Sequence, residues 1–148
     1  MKLLLDTNIL IDYYAQRAPF ANDATRLRIA AFFGDVDLWA SSQSFADVEY
    51  ILSGAIPREE LRQMMAHSLD FMNVCAVSAD DVKASFRSGW PDLEDYLIAC
   101  AALRIKADFV ITRDKKGFVK SEVPALSPAD LFALLEQKHG VVYEDADF

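Results

Sequence analysis

Short apolar runs alternate with longer segments of helical periodicity along most of the chain. The apolar runs predict buried strands at residues 3–5, 37–40, 74–77, 109–112 and 124–126. The periodic segments predict helices at residues 21–33, 42–52, 58–71, 80–86, 91–105 and 127–140. Strands that alternate with helices predict a three-layer α/β fold, in which helices flank a mostly parallel central sheet of four to five strands.

The segment 91–105 differs from the other predicted helices because it is apolar on nearly every side. Such a helix is expected to lie centrally, with little surface toward water. Its first turn nevertheless carries Asp92, Glu94 and Asp95. Three carboxylates at the start of an apolar helix are therefore candidates for chemistry.

The pattern divides the chain into one domain at residues 1–142 and an acidic C-terminal tail at residues 143–148. No linker rich in Pro, Gly or Ser interrupts the sequence before the tail. A chain of 148 residues is long enough to bury a core without disulfides or a structural metal.

Composition narrows the class of protein. Hydrophobic residues make up 53% and charged residues 26% of the chain, which excludes a wholly disordered protein. The net charge of −8 argues against a simple electrostatic nucleic-acid binder, which usually presents a basic surface. It leaves open an enzyme whose carboxylates hold cations.

The cysteines and the N-terminus predict a cytoplasmic protein. Cys75 and Cys100 both lie in apolar sequence, as reduced core thiols do. The apolar run after Met1 is too short for a secretory or membrane segment. His67 and His139 lie far apart in the sequence without a paired ligand, which disfavours zinc.

Acidic residues follow two predicted strands and occur within two predicted helices: Asp6, Asp114, Asp47, Glu49, Asp92, Glu94 and Asp95. Because parallel strands end at one edge of a sheet, we expect several of these carboxylates to converge there. Converging carboxylates repel one another unless cations neutralise them. All-oxygen ligands suit Mg²⁺ or Mn²⁺, so the pattern predicts a divalent metal site.

Each acid also has a structural interpretation. Asp92 fits a helix N-cap, and Asp6 fits a turn residue or the cap of the next helix. Asp47 and Glu49 fit a solvated helix edge, and Asp114 fits an ordinary turn. The joint placement of the acids, and no single one, favours the metal site.

Four stretches together resemble the PIN-domain nucleases, including the VapC-type toxins of toxin–antitoxin systems. They are Leu-Leu-Leu-Asp-Thr-Asn-Ile-Leu-Ile-Asp at 3–12, Pro-Asp-Leu-Glu-Asp-Tyr-Leu-Ile-Ala-Cys-Ala-Ala at 91–102, Ala-Asp-Phe-Val-Ile-Thr-Arg-Asp at 107–114 and Leu-Ser-Pro-Ala-Asp-Leu at 126–131. The resemblance implies a PIN-like fold and Mg²⁺- or Mn²⁺-dependent hydrolysis of RNA phosphodiester bonds. It further implies an antitoxin partner and a homodimer.

The resemblance also assigns roles to residues. The family's metal-binding and catalytic acids fall on Asp6, Asp47, Asp95 and Asp114, with Glu49 as the alternative to Asp47 and with Asp92 and Glu94 as possible acids for a second ion or for orienting water. The substrate contacts implied are Asn8, Thr112, Arg113, Lys115 and Lys116, within or near a basic segment at residues 104–120. Relatives often carry an acid where this chain has Gly117, so Asp114 is the acid available after the fourth strand.

Two other functions stay open. A non-catalytic PIN-like module that binds RNA or protein is the main alternative. A haloacid-dehalogenase-like phosphatase is a minor one, because it needs a second acid where this chain has Asn8. Tyr13, Tyr14, Phe20 and the segment 61–71 are candidate contact surface, with burial in the core as the competing interpretation.

Overall fold

A computed structural model describes residues 1–143 as a single parallel sheet between two layers of helices. The strand order is β3-β2-β1-β4-β5, and every neighbouring pair is parallel. The strands are β1 Lys2–Leu5, β2 Asp37–Ser41, β3 Met72–Cys75, β4 Phe109–Ile111 and β5 Ala125–Leu126. The predicted α/β architecture is confirmed.

Seven α-helices connect and cover the strands within the described residues. They are α1 Thr7–Ala15, α2 Ala21–Phe32, α3 Ser42–Leu52, α4 Arg58–Ser68, α5 Ala79–Ser85, α6 Leu93–Arg104 and α7 Pro128–His139. A short 3₁₀ helix, Lys115–Phe118, follows β4. Helix α7 begins where the sequence predicts a helix, and the structure shows a capping box at Ser127 and a first-turn proline at Pro128.

The central strand β1 shows how the two layers form. Leu3 and Leu5 point into the core that lies under α1, α2, α3, α4 and α7. Leu4 points to the opposite face, where it packs with Ile98 of α6 and Val110 of β4. Because side chains alternate along a strand, a fully apolar β1 supplies both cores at once.

Two predictions differ from the structure. The third strand is Met72–Cys75 rather than 74–77, because the edge strand buries only Met72 and Cys75 and leaves Val74 43% exposed. Helix α6 is not central: Leu93 and Leu103 are 44% and 52% exposed, because α6 packs on one face of the sheet only. Its apolar sequence therefore marks an outer helix with an apolar solvent face.

The candidate contact residues divide between core and surface. Tyr14 and Leu61 are buried, and the Tyr14 hydroxyl pairs with Ser68 Oγ at 2.6 Å. Tyr13 is half-buried, and Phe20 is 36% exposed. Core packing thus explains Tyr14 and Leu61 without a partner.

The thiols and the end of the described chain complete the fold. Cys75 and Cys100 are free thiols, the first buried and the second half-buried. Tyr143, the first residue of the predicted tail, packs on Phe132, while the rest of that tail lies outside the described residues. Among residues 1–143, no helix has both the length and the apolar character to cross a membrane.

Candidate active site

Asp6 lies at the carboxyl end of the central strand and is only 5% exposed. It is the N-cap of α1, and its Oδ1 accepts a hydrogen bond from the Thr7 backbone N–H at 2.7 Å. The Thr112 hydroxyl donates to its Oδ2 at 2.7 Å. Its own backbone N–H donates to the Ile111 carbonyl at 2.9 Å, which ties Asp6 to the end of β4.

Burial is the main influence on the protonation of Asp6. Desolvation raises the pKa of this carboxyl from 3.8 to about 6, against the lowering effect of the hydrogen bonds from Thr112 and Thr7. The charges of Glu94 and Asp114 contribute to the same rise. The carboxylate is therefore costly to ionise unless a cation compensates it.

Asp95 and Asp114 lie close enough to Asp6 for the charges of these acids to act on one another. Desolvation raises the pKa of Asp95 to about 7, and the charges of Asp92, Asp6, Glu94 and Asp114 add to that rise. Asp92 is the N-cap of α6 and accepts from the Asp95 backbone N–H at 3.0 Å, as its structural interpretation predicts. A cap at Asp92 orients the first turn that presents Asp95.

Gly117 forms one wall of this acidic crevice. A Cβ atom placed on Gly117 would lie 2.5 Å from Asp95 Oδ2 and 3.4 Å from Asp114 Oδ2. Only a residue without a side chain admits both carboxylates at this distance. The glycine that stands at the relatives' acid position thus makes room for the acids that this chain does carry.

Glu94 is held by two hydroxyl residues that we did not select from the sequence. Thr7 Oγ1 donates a short hydrogen bond to Glu94 Oε1 and lies 2.8 Å from Ser44 Oγ. Since Thr7 has one hydroxyl proton and gives it to Glu94, Ser44 donates to Thr7. The available signal was a polar residue in an apolar stripe, because Ser44 lies one turn before buried Val48 on α3.

The two candidates for the second acid face different neighbours. The charge of Asp47 raises the pKa of Glu94, and Gln43 Nε2 donates to Asp47 Oδ1 at 3.1 Å. Glu49 instead pairs with arginines of α4, with Arg62 Nη2 at 2.7 Å and Arg58 Nε at 3.3 Å. Asp47 lies beside the acidic crevice, and Glu49 belongs to a surface ion pair between α3 and α4.

The acids suit a divalent cation by chemistry but are not gathered around one. In residues 1–143, no group of three or more His, Cys, Asp or Glu side chains has the arrangement of a ready metal site. The donors at Asp6, Asp95 and Asp114 are nevertheless all oxygen and mutually repulsive, and Gly117 lies against two of them, Asp95 and Asp114. This donor set fits a divalent cation in its chemistry.

The predicted substrate contacts occupy varied positions. Thr112 is fully buried, and its hydroxyl serves Asp6 and accepts from the Asp114 N–H at 2.9 Å. Asn8 Oδ1 accepts from the Arg113 N–H at 3.4 Å. Lys115 pairs with Asp130 at 2.7 Å, and Lys116 lines a small cavity of about 160 Å³ beside Asp95 and Gly117. Thr112 thus supports Asp6, and the exposed lysines lie nearer to solvent.

The basic segment at residues 104–120 is spread across the molecule. Arg104 ends α6, at the opposite end of that helix from Asp95, and pairs with Asp81. Arg113 pairs with buried Asp12, with its Nε 2.6 Å from Asp12 Oδ2. Acids of the chain itself therefore form ion pairs with half of the six cations in the segment, namely Arg104, Arg113 and Lys115.

An all-parallel sheet with acids at the carboxyl edge of its central strands defines an α/β protein with a candidate ligand site at that edge. The PIN domain profile matches residues 2–116, and the chain belongs to the PIN domain family. No curated protein sequence matches the chain.

Solved structures share this fold. VapBC2 from Rickettsia felis, bound to a DNA fragment from its promoter, matches at 18% identity and a TM-score of 0.64 over 86% of this chain and 98% of that chain. VapBC-1 from nontypeable Haemophilus influenzae matches at 22% identity and a TM-score of 0.64, over 87% of this chain and 99% of that chain. A toxin–antitoxin complex from Klebsiella pneumoniae matches at 23% identity and a TM-score of 0.61, over 85% of this chain and 97% of that chain.

Proposed function

We propose that this chain is a Mg²⁺- or Mn²⁺-dependent endoribonuclease that hydrolyses RNA phosphodiester bonds. The observation that carries the proposal is the convergence of Asp6, Asp95 and Asp114 at one edge of the sheet, where Gly117 admits two of them. Uncompensated acids at this density are costly in a binding module that takes up no cation. Membership of the PIN domain family supports the nuclease interpretation over the phosphatase.

The residues divide the work by position. Asp6, Asp95 and Asp114 would hold the cation, with Asp47, Glu94 and Asp92 around them as outer acids. A bound divalent cation supplies Lewis acidity at the phosphate and neutralises the charge that develops there. Thr112 and the Thr7 N–H hold Asp6 in one orientation, and Ser44 and Thr7 hold Glu94. The carboxylates are thus presented by groups that are already in place before substrate arrives.

The test is cleavage of RNA by purified protein with Mn²⁺ or Mg²⁺, followed by mapping of the new RNA ends. Asp6→Asn keeps the size of the side chain and removes the charge, so it should abolish the new ends. Asp80→Asn, an exposed acid in the first turn of α5, is the matched control and should cleave as the wild type does. Identical ends from wild type and Asp6→Asn would contradict the proposed mechanism.

A non-catalytic module is the second candidate, favoured by the lack of a ready three-ligand metal group in residues 1–143. Calorimetry distinguishes the two functions. Heat of Mn²⁺ binding that disappears in Asp6→Asn supports the enzyme. A protein that shows neither metal binding nor cleavage of any RNA is a module.

The biological setting completes the proposal. The matched structures from Rickettsia felis and Haemophilus influenzae are VapBC complexes, which supports a toxin role with an antitoxin partner. We further propose a homodimer in the cytoplasm. Inducible expression of wild type and Asp6→Asn tests the toxin role: growth arrest should follow expression of the wild type alone.

A further inference from the structure

A second concave site lies beside the acidic crevice and has no part in the proposed metal chemistry. It is a cavity of about 330 Å³, lined by Asp12, Phe20, Asp23, Arg113 and the start of α7 at Ser127 and Pro128. That volume falls within the range of small-ligand pockets. Arg113 and Ser127 follow β4 and β5 at their carboxyl ends, so the cavity lies at the same sheet edge as the acids.

The cavity contains a fixed flat platform. Arg113 Nε and Nη2 donate to Asp12 at 2.6 and 3.3 Å, and Asp12 is only 1% exposed. The guanidinium carbon of Arg113 lies 4.2 Å from the centre of the Phe20 ring. A buried carboxylate therefore orients the guanidinium, and the ring packs against it. This fixed guanidinium, the Arg113 platform, therefore presents its remaining N–H groups at its edge in one direction.

Asp114 connects the cavity to the crevice. Arg113 and Asp114 are neighbours in the loop after β4, and their side chains contact different parts of the molecule. Arg113 contacts α1 and Phe20, whereas Asp114 faces Asp95 and Gly117. A strand of RNA that places a phosphate at Asp114 thus passes one residue away from the Arg113 platform.

We propose that this cavity binds one base of the RNA substrate next to the cleaved phosphodiester, with guanine preferred. The proposal rests on the nuclease function above. Bonds to Asp12 use Nε and Nη2 of Arg113, which directs Nη1 away from that carboxylate toward an acceptor such as guanine O6 or N7. The Asp23 carboxylate, which lines the same cavity and has one oxygen 3.6 Å from Arg26 Nη1, is an acceptor for the N–H groups of the same base. Guanine carries both kinds of group.

The first test maps cleavage of a random-sequence RNA pool. Wild type should show guanine at one position fixed relative to the cut. Phe20→Ala should lose that preference and raise KM roughly tenfold or more, with kcat retained, because the ring that packs against the Arg113 guanidinium is removed. Phe32→Ala, an exposed aromatic at the far end of α2, is the matched control and should keep the wild-type map. An unchanged map and KM in Phe20→Ala overturn the proposal.

The second test needs no cleavage, so it separates failure of this proposal from failure of the nuclease function. Uncharged nucleosides at millimolar concentration are titrated into the protein while the NMR signal of Arg113 Nε–H is followed. Guanosine should shift that signal in wild type and shift it less in Asp23→Asn, which keeps the size of this half-buried side chain and removes its charge. If no nucleoside shifts the Arg113 signal, the proposal is overturned. That result is also the one expected if the cavity is a contact surface for a partner protein.

Discussion

The Thr112 hydroxyl donates to Asp6 Oδ2 at 2.7 Å in the fully buried interior of the sheet edge. The Thr112 hydroxyl oxygen also accepts a hydrogen bond from the Asp114 backbone N–H at 2.9 Å. One side chain therefore fixes the acid that follows β1 against the backbone of the acid that follows β4. It also lowers the pKa of Asp6 and partly offsets the cost of its burial.

Replacing this hydroxyl should weaken both stability and cleavage. Thr112→Val keeps the shape of the side chain but leaves Asp6 Oδ2 without its donor. We expect the free energy of unfolding to fall by about 1–3 kcal/mol at neutral pH, measured by urea denaturation. Thr112→Ser restores the donor and should recover most of both properties. Equal stability of the valine and serine variants would show that the hydrogen bond contributes little.

The metal-free protein should lose stability as pH rises from about 4 to about 7. In the unfolded chain Asp6 ionises at its ordinary pKa of 3.8, whereas in the folded protein its pKa is about 6. The folded state thus keeps a proton that the unfolded state has released, and the free energy of unfolding falls across this interval. The difference between these two pKa values of Asp6 corresponds to a loss of about 3 kcal/mol in the free energy of unfolding. Asp95, whose pKa is about 7, adds a smaller loss because water screens its charge.

Asp6→Asn provides the control for this pH dependence. Urea denaturation across the interval should show a much flatter profile for the variant than for wild type. Added Mn²⁺ should raise the melting temperature of wild type more at pH 7 than at pH 5, because protonated carboxyls do not bind the cation. A wild-type profile as flat as that of the variant would mean that Asp6 ionises freely.

A methyl group at Gly117 should disable the site and leave the fold intact. Gly117→Ala places a Cβ 2.5 Å from Asp95 Oδ2, so the Asp95 carboxylate must move. We expect Mn²⁺ affinity, measured by calorimetry, to fall roughly 10- to 100-fold. Gly54→Ala is the matched control, since a Cβ there meets no atom within 4 Å. If Gly117→Ala binds Mn²⁺ with wild-type affinity, the space at this glycine is not required by the site.

Asp47 and Glu49 should respond differently to neutralisation. Asp47→Asn removes a charge that acts on Glu94, so we expect Mn²⁺ affinity and cleavage to fall roughly tenfold. Glu49→Gln breaks a surface ion pair with Arg62 and should leave cleavage unchanged. Initial rates of RNA cleavage at several Mn²⁺ concentrations compare the two variants directly. A larger loss in Glu49→Gln would exchange their roles.

The sequence predicts the fold well because strong local signals agree with it. The structure shows the apolar β1 between polar residues, the helix that begins after Ser127 and the acids after β1 and β4. The third strand shifts by two residues because Val74, a strong β-former, faces solvent at the sheet edge. Hydrophobic pattern alone does not distinguish an edge strand from a central one.

The parts of the site that escaped prediction depend on contacts between distant elements. Ser44 reaches Thr7 across 37 positions, and Arg113 reaches Asp12 across 101. The sequence around Asp12 does not indicate that Arg113 is its partner, because a single acid within an apolar stretch of α1 is typical of a surface residue. The matching of cations to acids of the same chain likewise became visible only when the elements were packed.

The backbone of Asp6 gives the site an uneven mechanical character. Its N–H belongs to the bonding between β1 and β4, so the amide should exchange with deuterium only through opening of the sheet centre. Asp114 instead precedes a four-residue 3₁₀ turn that can open locally. We therefore expect the amides of that short helix to exchange faster than the Asp6 amide, so that the acid after β1 belongs to the more rigid half of the site.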